Sequence, residues 1–177
     1  MDSLLDVSRI ASGRLALRLE QVNLAGVVRE MMERFADDFE RAGCVPSFQG
    51  PDEVVGMWDR LRLEQLVANL LSNAVKFTHE GRITIRLQEQ HDRFVISVQD
   101  SGIGIAPEEL TRIFEPFYQA ENFLTRHHRG TGLGLPLARR MVELMGGKLD
   151  VDAIQGTGST FTVTLPHTPP DAQHTES

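Results

Sequence analysis

The chain has 177 residues and a formal net charge of −7. That length suffices for one domain with a real core, and the acidic balance excludes a nucleic-acid backbone as partner, since the basic patch it needs is missing. A lone cysteine, Cys44, no signal peptide and no apolar run near the ~20 residues of a membrane span fit a soluble fragment in a reducing, cytoplasmic setting, whose parent protein is free to be membrane-anchored.

In chain order, residues 1–13 read as the end of a helix, with Leu4, Leu5, Val7 and Ile10 at helical spacing and Gly13 as its C-cap. Residues 15–20 alternate and suggest a strand. Asn23 is placed to cap a helix running to about Gly43, with Leu24, Val27, Val28, Met31 and Phe35 on one face. Residues 45–49 and 53–57 are short strand candidates around a Gly-Pro turn. Asp59 caps the next helix, which carries Leu63, Leu66, Val67, Leu70 and Leu71 inward and ends near Thr78. Residues 82–90 and 93–99 form an antiparallel hairpin turning at His91-Asp92. Pro107 opens a short helix, with Glu108 and Glu109 favourable to its dipole. Residues 118–130 are polar and irregular and read as a mobile loop. A last helix runs from Thr131 to about Met145. Residues 148–153 and 159–165 make a final strand pair, and a disordered tail is expected from Pro166 on. Helices and strands mix without regular βαβ alternation, so the fold class expected is α+β, one mixed sheet with helices on one face.

Three stretches carry chemistry. Asn69 and Asn73 are four apart and share a helix face. Asparagine is a poor helix-interior residue, so two on one half-buried stripe need a reason. An amide oxygen is a suitable hard ligand for Mg²⁺, and Lys76 lies where it can reach a phosphate. Next, a strand leads into Asp100-Ser101-Gly102-Ile103-Gly104-Ile105. A carboxylate sheltered there can accept a hydrogen bond from an exocyclic amine such as adenine's, although a turn aspartate with two turn glycines is common. Third, Gly130-Thr131-Gly132-Leu133-Gly134-Leu135 opens a helix, whose free N–H groups favour an anion. It lacks the Gly-Lys-Ser/Thr of a P-loop and the spacing of a dinucleotide fingerprint. Two glycine knots bracketing a loop suit a nucleotide, base towards one and phosphates towards the other.

With these residues in view, the chain resembles the catalytic, ATP-binding domain of sensor histidine kinases, in the superfamily shared with gyrase, Hsp90 and MutL. The resemblance covers residues 2–165. Residues 69–78 resemble the N box, residues 100–105 the G1 box, Phe114-Glu115-Pro116-Phe117 the F box, and residues 130–135 the G2 box; Gly156-Thr157-Gly158-Ser159-Thr160-Phe161 resembles the closing glycine motif. Residues 4–10 resemble the end of the second dimerisation helix. The implied fold is the two-layer α/β sandwich of that superfamily, a mixed five-stranded sheet with three main helices on one face. The implied domains are a helix end at 1–14, an ATP-binding domain at 15–166 and a tail at 167–177.

The resemblance also implies roles. Asn73 coordinates Mg²⁺. Asn69, Lys76 and Arg126 form the catalytic set, with Lys76 and Arg126 on the phosphates. Phe77 packs by the adenine and Asp100 binds its amine, with Gly102 and Gly104 allowing close approach beside Ile105. Residues 118–130 form an ATP lid anchored by Phe114 and Phe117, and Gly130, Thr131, Gly132, Leu133 and Gly134 present the phosphate-side backbone. Asn69 stands where the ATPases of the superfamily have a water-activating glutamate, and an amide is no general base, so slow hydrolysis is expected.

Arg129 replaces a usual glycine, and Pro136 follows the second glycine box, which makes residues 133–135 the helix entry. None of the six histidines, His79, His91, His127, His128, His167 and His174, sits on a predicted helix in the setting of the family's phospho-acceptor. The expectation is a kinase domain that binds ATP and Mg²⁺ without autophosphorylating, and that acts on a histidine of its parent's dimerisation helices for relay to a response-regulator receiver domain, the parent being a homodimer. The competing classes are a degenerate nucleotide-binding switch, which intact boxes disfavour, and an ATP-driven machine like gyrase, which Asn69 disfavours.

Overall fold

The computed structural model describes residues 17–115 and 134–167. In chain order the elements are β1 (Glu20–Asn23), α1 (Leu24–Arg34), α2 (Ala36–Arg41), β2 (Val45–Gln49), β3 (Val55–Trp58), α3 (Arg60–Phe77), β4 (Arg82–Glu89), β5 (Arg93–Asp100), α4 (Pro107–Leu110), α5 (Gly134–Leu144), β6 (Lys148–Ile154) and β7 (Gly158–Pro166).

Five strands form one sheet in the order β2-β4-β5-β7-β6; β2 pairs parallel with β4 and the other neighbours are antiparallel. Alternation along the strands decides which face is covered. Ile83, Ile85 and Leu87 of β4, Phe94, Ile96 and Val98 of β5, and Phe161, Val163 and Leu165 of β7 are all buried. The register stacks them in rows, Ile85 opposite Val98 opposite Phe161 and Leu87 opposite Ile96 opposite Val163. Against this face lie the inward stripes of α1 (Leu24, Val27, Val28, Met31), α3 (Leu63, Leu66, Val67, Leu70, Leu71) and α5 (Ala138, Met141, Val142). The result is the mixed five-stranded sheet with three main helices that the sequence implies.

Several local expectations need correction. The expected first strand does not run through residues 17–19, which are irregular; β1 begins at Glu20 to pair with β3, Glu20 opposite Trp58. The long helix is two, α1 and α2, joined at Phe35 (φ −92°, ψ 5°), so that Phe39 turns into the core. Asn23 precedes α1 but its side chain makes no cap bond; its Oδ1 accepts from Val54 N at 3.0 Å instead, fastening the entry to β3. The strand candidates around Pro51 do not pair with each other. β2 joins the main sheet beside β4, while β3 makes a separate two-stranded sheet with β1.

Asp59 does cap α3, its Oδ1 accepting from Arg62 N at 3.3 Å while Oδ2 accepts from Arg18 N at 2.9 Å. Pro166 is no tail residue: it ends β7, and its carbonyl accepts from the indole Nε1–H of Trp58 at 3.2 Å. The His167 ring lies 4.1 Å from that of Phe94. The expected helix of residues 1–13, the loop 118–130, helix residues 131–133 and the tail beyond 167 lie outside the described residues.

Candidate functional site

The site grows from a breach of the strand pattern. Phe94, Ile96 and Val98 face the core, and the next core-facing position is Asp100. On β7 the same alternation runs Leu165, Val163, Phe161 and then Ser159, which lies opposite Asp100. Two neighbouring strands thus end their apolar rows in a carboxylate and a hydroxyl, under the helix layer. Asp100 is only 4% exposed. A buried carboxylate needs donors, and its Oδ1 takes two, Gly102 N at 3.0 Å and Ser159 N at 3.3 Å. Burial pushes the Asp100 carboxyl above its ordinary value; the two amides and the Thr78 hydroxyl pull it back.

Helix α3 brings the second half. Asn69, Asn73, Lys76 and Phe77 lie on one half-buried stripe, beside the buried Leu66, Leu70 and Ala74. Neither asparagine amide has a partner among the described residues, which suits groups that serve a ligand. Burial lowers the Lys76 ammonium, with no described carboxylate to offset it. An unsatisfied cation and two free amides fit a phosphate chain with its metal. Among the described residues no cluster of His, Cys, Asp and Glu forms a metal site, and an asparagine amide oxygen is the kind of hard donor that could hold a magnesium ion together with phosphates.

The two halves are locked through carbonyls. Phe77 O, at the end of α3, accepts from Ile103 N at 3.2 Å. A Cβ on Gly102 would stand 2.1 Å from that same oxygen. On the other side, a Cβ on Gly104 (φ +70°) would stand 2.0 Å from Ile154 O, and one on Gly158 2.1 Å from Asp100 O. The demand for glycine is therefore met by the protein's own backbone: the loop 100–105 is clasped between α3 and the β6–β7 turn. Half-buried Ile105 packs on the core. Phe114 is also half-buried, with the Arg139 guanidinium of α5 5.0 Å above its ring. Gly134 is the first residue of α5, and Pro136 falls in its first turn, where it is tolerated. Phe117, Arg126, Gly130, Thr131, Gly132 and Leu133 lie outside the described residues.

Thr78 and the Ser159 amide are the site residues that motif reading left without a role. The signal for Ser159 was present, since it continues the inward register of β7. Thr78 is the last residue of the stretch that resembles the N box, but the motif gives its hydroxyl no role. The cavity between Arg93, Gly147, Lys148 and Thr164 lies at the opposite end of β5 and β7 and shares no residue with this cluster.

A five-stranded mixed sheet under three helices, with a buried carboxylate facing an asparagine-bearing helix, defines a nucleotide-binding class. The sequence matches the family described as "Histidine kinase-, DNA gyrase B-, and HSP90-like ATPase" over residues 58–169, and the chain belongs to that family. Similar proteins include several sensor histidine kinases. The sensor histidine kinase GacS of Pseudomonas protegens is 39% identical over 98% of this chain and 20% of its own length. Full-length ShkA, solved with AMPPNP, superposes with a TM-score of 0.83 at 29% identity, covering 95% of this chain and 35% of that one. The nucleotide-free catalytic domain of the histidine kinase ThkA gives 0.75 at 27% identity, covering 86% of this chain and 99% of that one. The chain thus spans about a fifth of the GacS sequence and nearly the whole ThkA catalytic domain. It is an ATP-binding catalytic domain of the sensor histidine kinase family. Among the described residues no helix is long and apolar enough to cross a membrane.

Proposed function

We propose that this chain holds Mg-ATP and presents its γ-phosphoryl to a histidine on a dimerisation helix pair outside residues 15–166, residues 1–14 being the end of that pair and residues 167–177 a tail. The observation that carries this is the paired polar register: Asp100 and Ser159 at the ends of apolar rows, clasped to the helix that bears Asn69, Asn73 and Lys76. Asp100 accepts from the adenine amine through the carboxylate oxygen left over by Gly102 and Ser159. Phe77 lies beside the base, and Ile105 with the glycine loop closes its edge. Lys76 contacts the phosphates, and the release of its buried, unpaired charge favours an anionic partner. Asn73 is the ligand for Mg²⁺, which neutralises phosphate charge when bound.

Arg126, within a lid over residues 118–130, and the backbone of residues 130–134 complete the phosphate side, with Phe117 beneath the lid. Asn69 stands by the phosphates as an amide that takes no proton, so water is not activated and the phosphoryl group is kept for the histidine. From there it passes to an aspartate on a response-regulator receiver domain. We place the domain in the cytoplasm of a homodimeric parent, with no nucleic acid among its partners. His79 and His91 sit on exposed turns, a setting unlike the acceptor helix, and the chain alone does not autophosphorylate.

The test is phosphoryl transfer in trans. The parent's histidine helix pair is mixed with this chain and ATP labelled at the γ-phosphate. Label on the helix pair, and none on this chain alone, is expected. Tight ATP binding with no transfer would favour a nucleotide-binding switch without kinase activity.

A further inference from the structure

Thr78 follows α3 directly and is 3% exposed. Its Oγ1 is fully buried and has no hydrogen-bond partner of normal geometry. A buried hydroxyl left unmade costs free energy, so its place is informative. A Cβ on Gly102 would meet Thr78 Oγ1 at 2.8 Å, and one on Gly81 would meet Thr78 Cγ2 at 2.8 Å. The hydroxyl therefore lies against the same turn whose amide, Gly102 N, holds Asp100 Oδ1. It also stands close enough to that carboxylate to favour its ionised form. Its backbone is tied down separately: Thr78 N donates to Val75 O at 3.4 Å, and the Cys44 thiol lies 3.6 Å from Thr78 O. Only the hydroxyl lacks a hydrogen bond of normal geometry.

We propose that Thr78 is a positioning residue for base recognition, its hydroxyl turning onto the Asp100 carboxylate as a third donor and keeping it ionised and aimed when a base amine engages the other oxygen. This rests on the reading of Asp100 as the base contact. The chemistry requires an ionised group. A carboxylate accepts from an exocyclic amine, whereas a protonated carboxyl directs a proton at it. Burial drives Asp100 towards the protonated form, and only donors oppose that. Among the described residues, no charged side chain of α3, β4 or β7 adds to those influences; the neighbouring titratable group is the Cys44 thiol before β2, which the Asp100 charge itself pushes up. Amides of Gly102 and Ser159 are fixed by the backbone, so the Thr78 hydroxyl is the adjustable donor.

The test uses the full chain with ADP as probe, calorimetric titration between pH 5.5 and 8, and the single tryptophan, the fully buried Trp58, as reporter of folding. Thr78→Val is expected to bind ADP about tenfold more weakly at pH 7, as for loss of one hydrogen bond to a charged group. Its binding should fail at a higher pH than in the wild type, and Thr78→Ser should restore both. The Asp100 carboxyl carbon, followed by NMR without nucleotide, should titrate at higher pH in Thr78→Val. If Thr78→Val does not fold, the wild type decides: the Thr78 hydroxyl proton should become slow to exchange when ADP is added, and its absence overturns the proposal. Thr78→Val matching the wild type in affinity and pH profile also overturns it, while loss of affinity in Asp100→Asn leaves the base reading standing. Unchanged affinity in Asp100→Asn would instead remove the reading beneath it.

Discussion

Replacing Gly102 by alanine puts a methyl group where the end of α3 already is. The new Cβ would stand 2.1 Å from Phe77 O and 2.8 Å from Phe77 C and Thr78 Oγ1. An ordinary contact needs roughly 3.4 Å, so loop and helix end must part by about 1 Å. The Ile103 N to Phe77 O bond, 3.2 Å, lies across that seam and is lost. Overpacking costs about 1–3 kcal/mol and the bond about 1 kcal/mol, so a loss of about 2–4 kcal/mol is expected from urea denaturation. The same displacement moves Asp100 away from Asn73 and Lys76, and ATP should bind more than tenfold more weakly. Gly156→Ala is the control. It has nothing within 4 Å of its Cβ but holds φ +86°, so it pays only the left-handed strain of about 1–2 kcal/mol and keeps its nucleotide affinity. A Gly102→Ala variant no less stable than Gly156→Ala, binding ATP normally, refutes the clasp.

Further outcomes follow from the same geometry. Asp100 carries a raised carboxyl pKa in the folded chain because of burial; its contribution to stability is full below the ordinary carboxylate pKa and is lost as pH rises through the raised value. Asp100→Asn should therefore gain stability relative to the wild type as pH rises above the ordinary carboxylate range, measured by denaturation across a pH series, while losing ATP affinity. Asp59→Ala removes the α3 cap and the tie to Arg18, and should lower unfolding free energy by about 1–3 kcal/mol. Asn73→Ala should bind adenosine as the wild type does but lose the Mg²⁺ dependence of its ATP affinity, read by calorimetry with and without the metal. Cys44, with its thiol pushed up by burial, should resist alkylation until the chain is unfolded.

Elements with strong periodicity were legible in the sequence: α3 with its Asp59 cap, the β4–β5 hairpin and the β6–β7 pair all lie within a residue or two of where pattern places them. Their apolar faces see one uniform environment, so local pattern and tertiary packing agree. Two of the misreadings fall where a polar side chain or short strand chooses a distant partner. Asn23 bonds Val54 rather than its own helix, and β2 and β3 go to different sheets because β1 and β4 supply their edges. Motif spacing singled out Asp100, Asn69 and Asn73 as candidates. It read the loop glycines as room for a nucleotide, and only the folded chain reveals the carbonyls of Phe77, Ile154 and Asp100 packed against them. Thr78 closes the asparagine box without a role of its own there, and the place of its hydroxyl against the Gly102 turn appears only in the folded chain.

The central claim is that the base is read by a carboxylate at the end of β5. Calorimetric titration of ATP into Asp100→Asn tests it most directly, because the amide can keep both backbone bonds at Oδ1 and so preserve the fold. A cooperatively folded variant that binds ATP about ten- to a hundredfold more weakly is the predicted result; the same variant binding as tightly as the wild type contradicts the account.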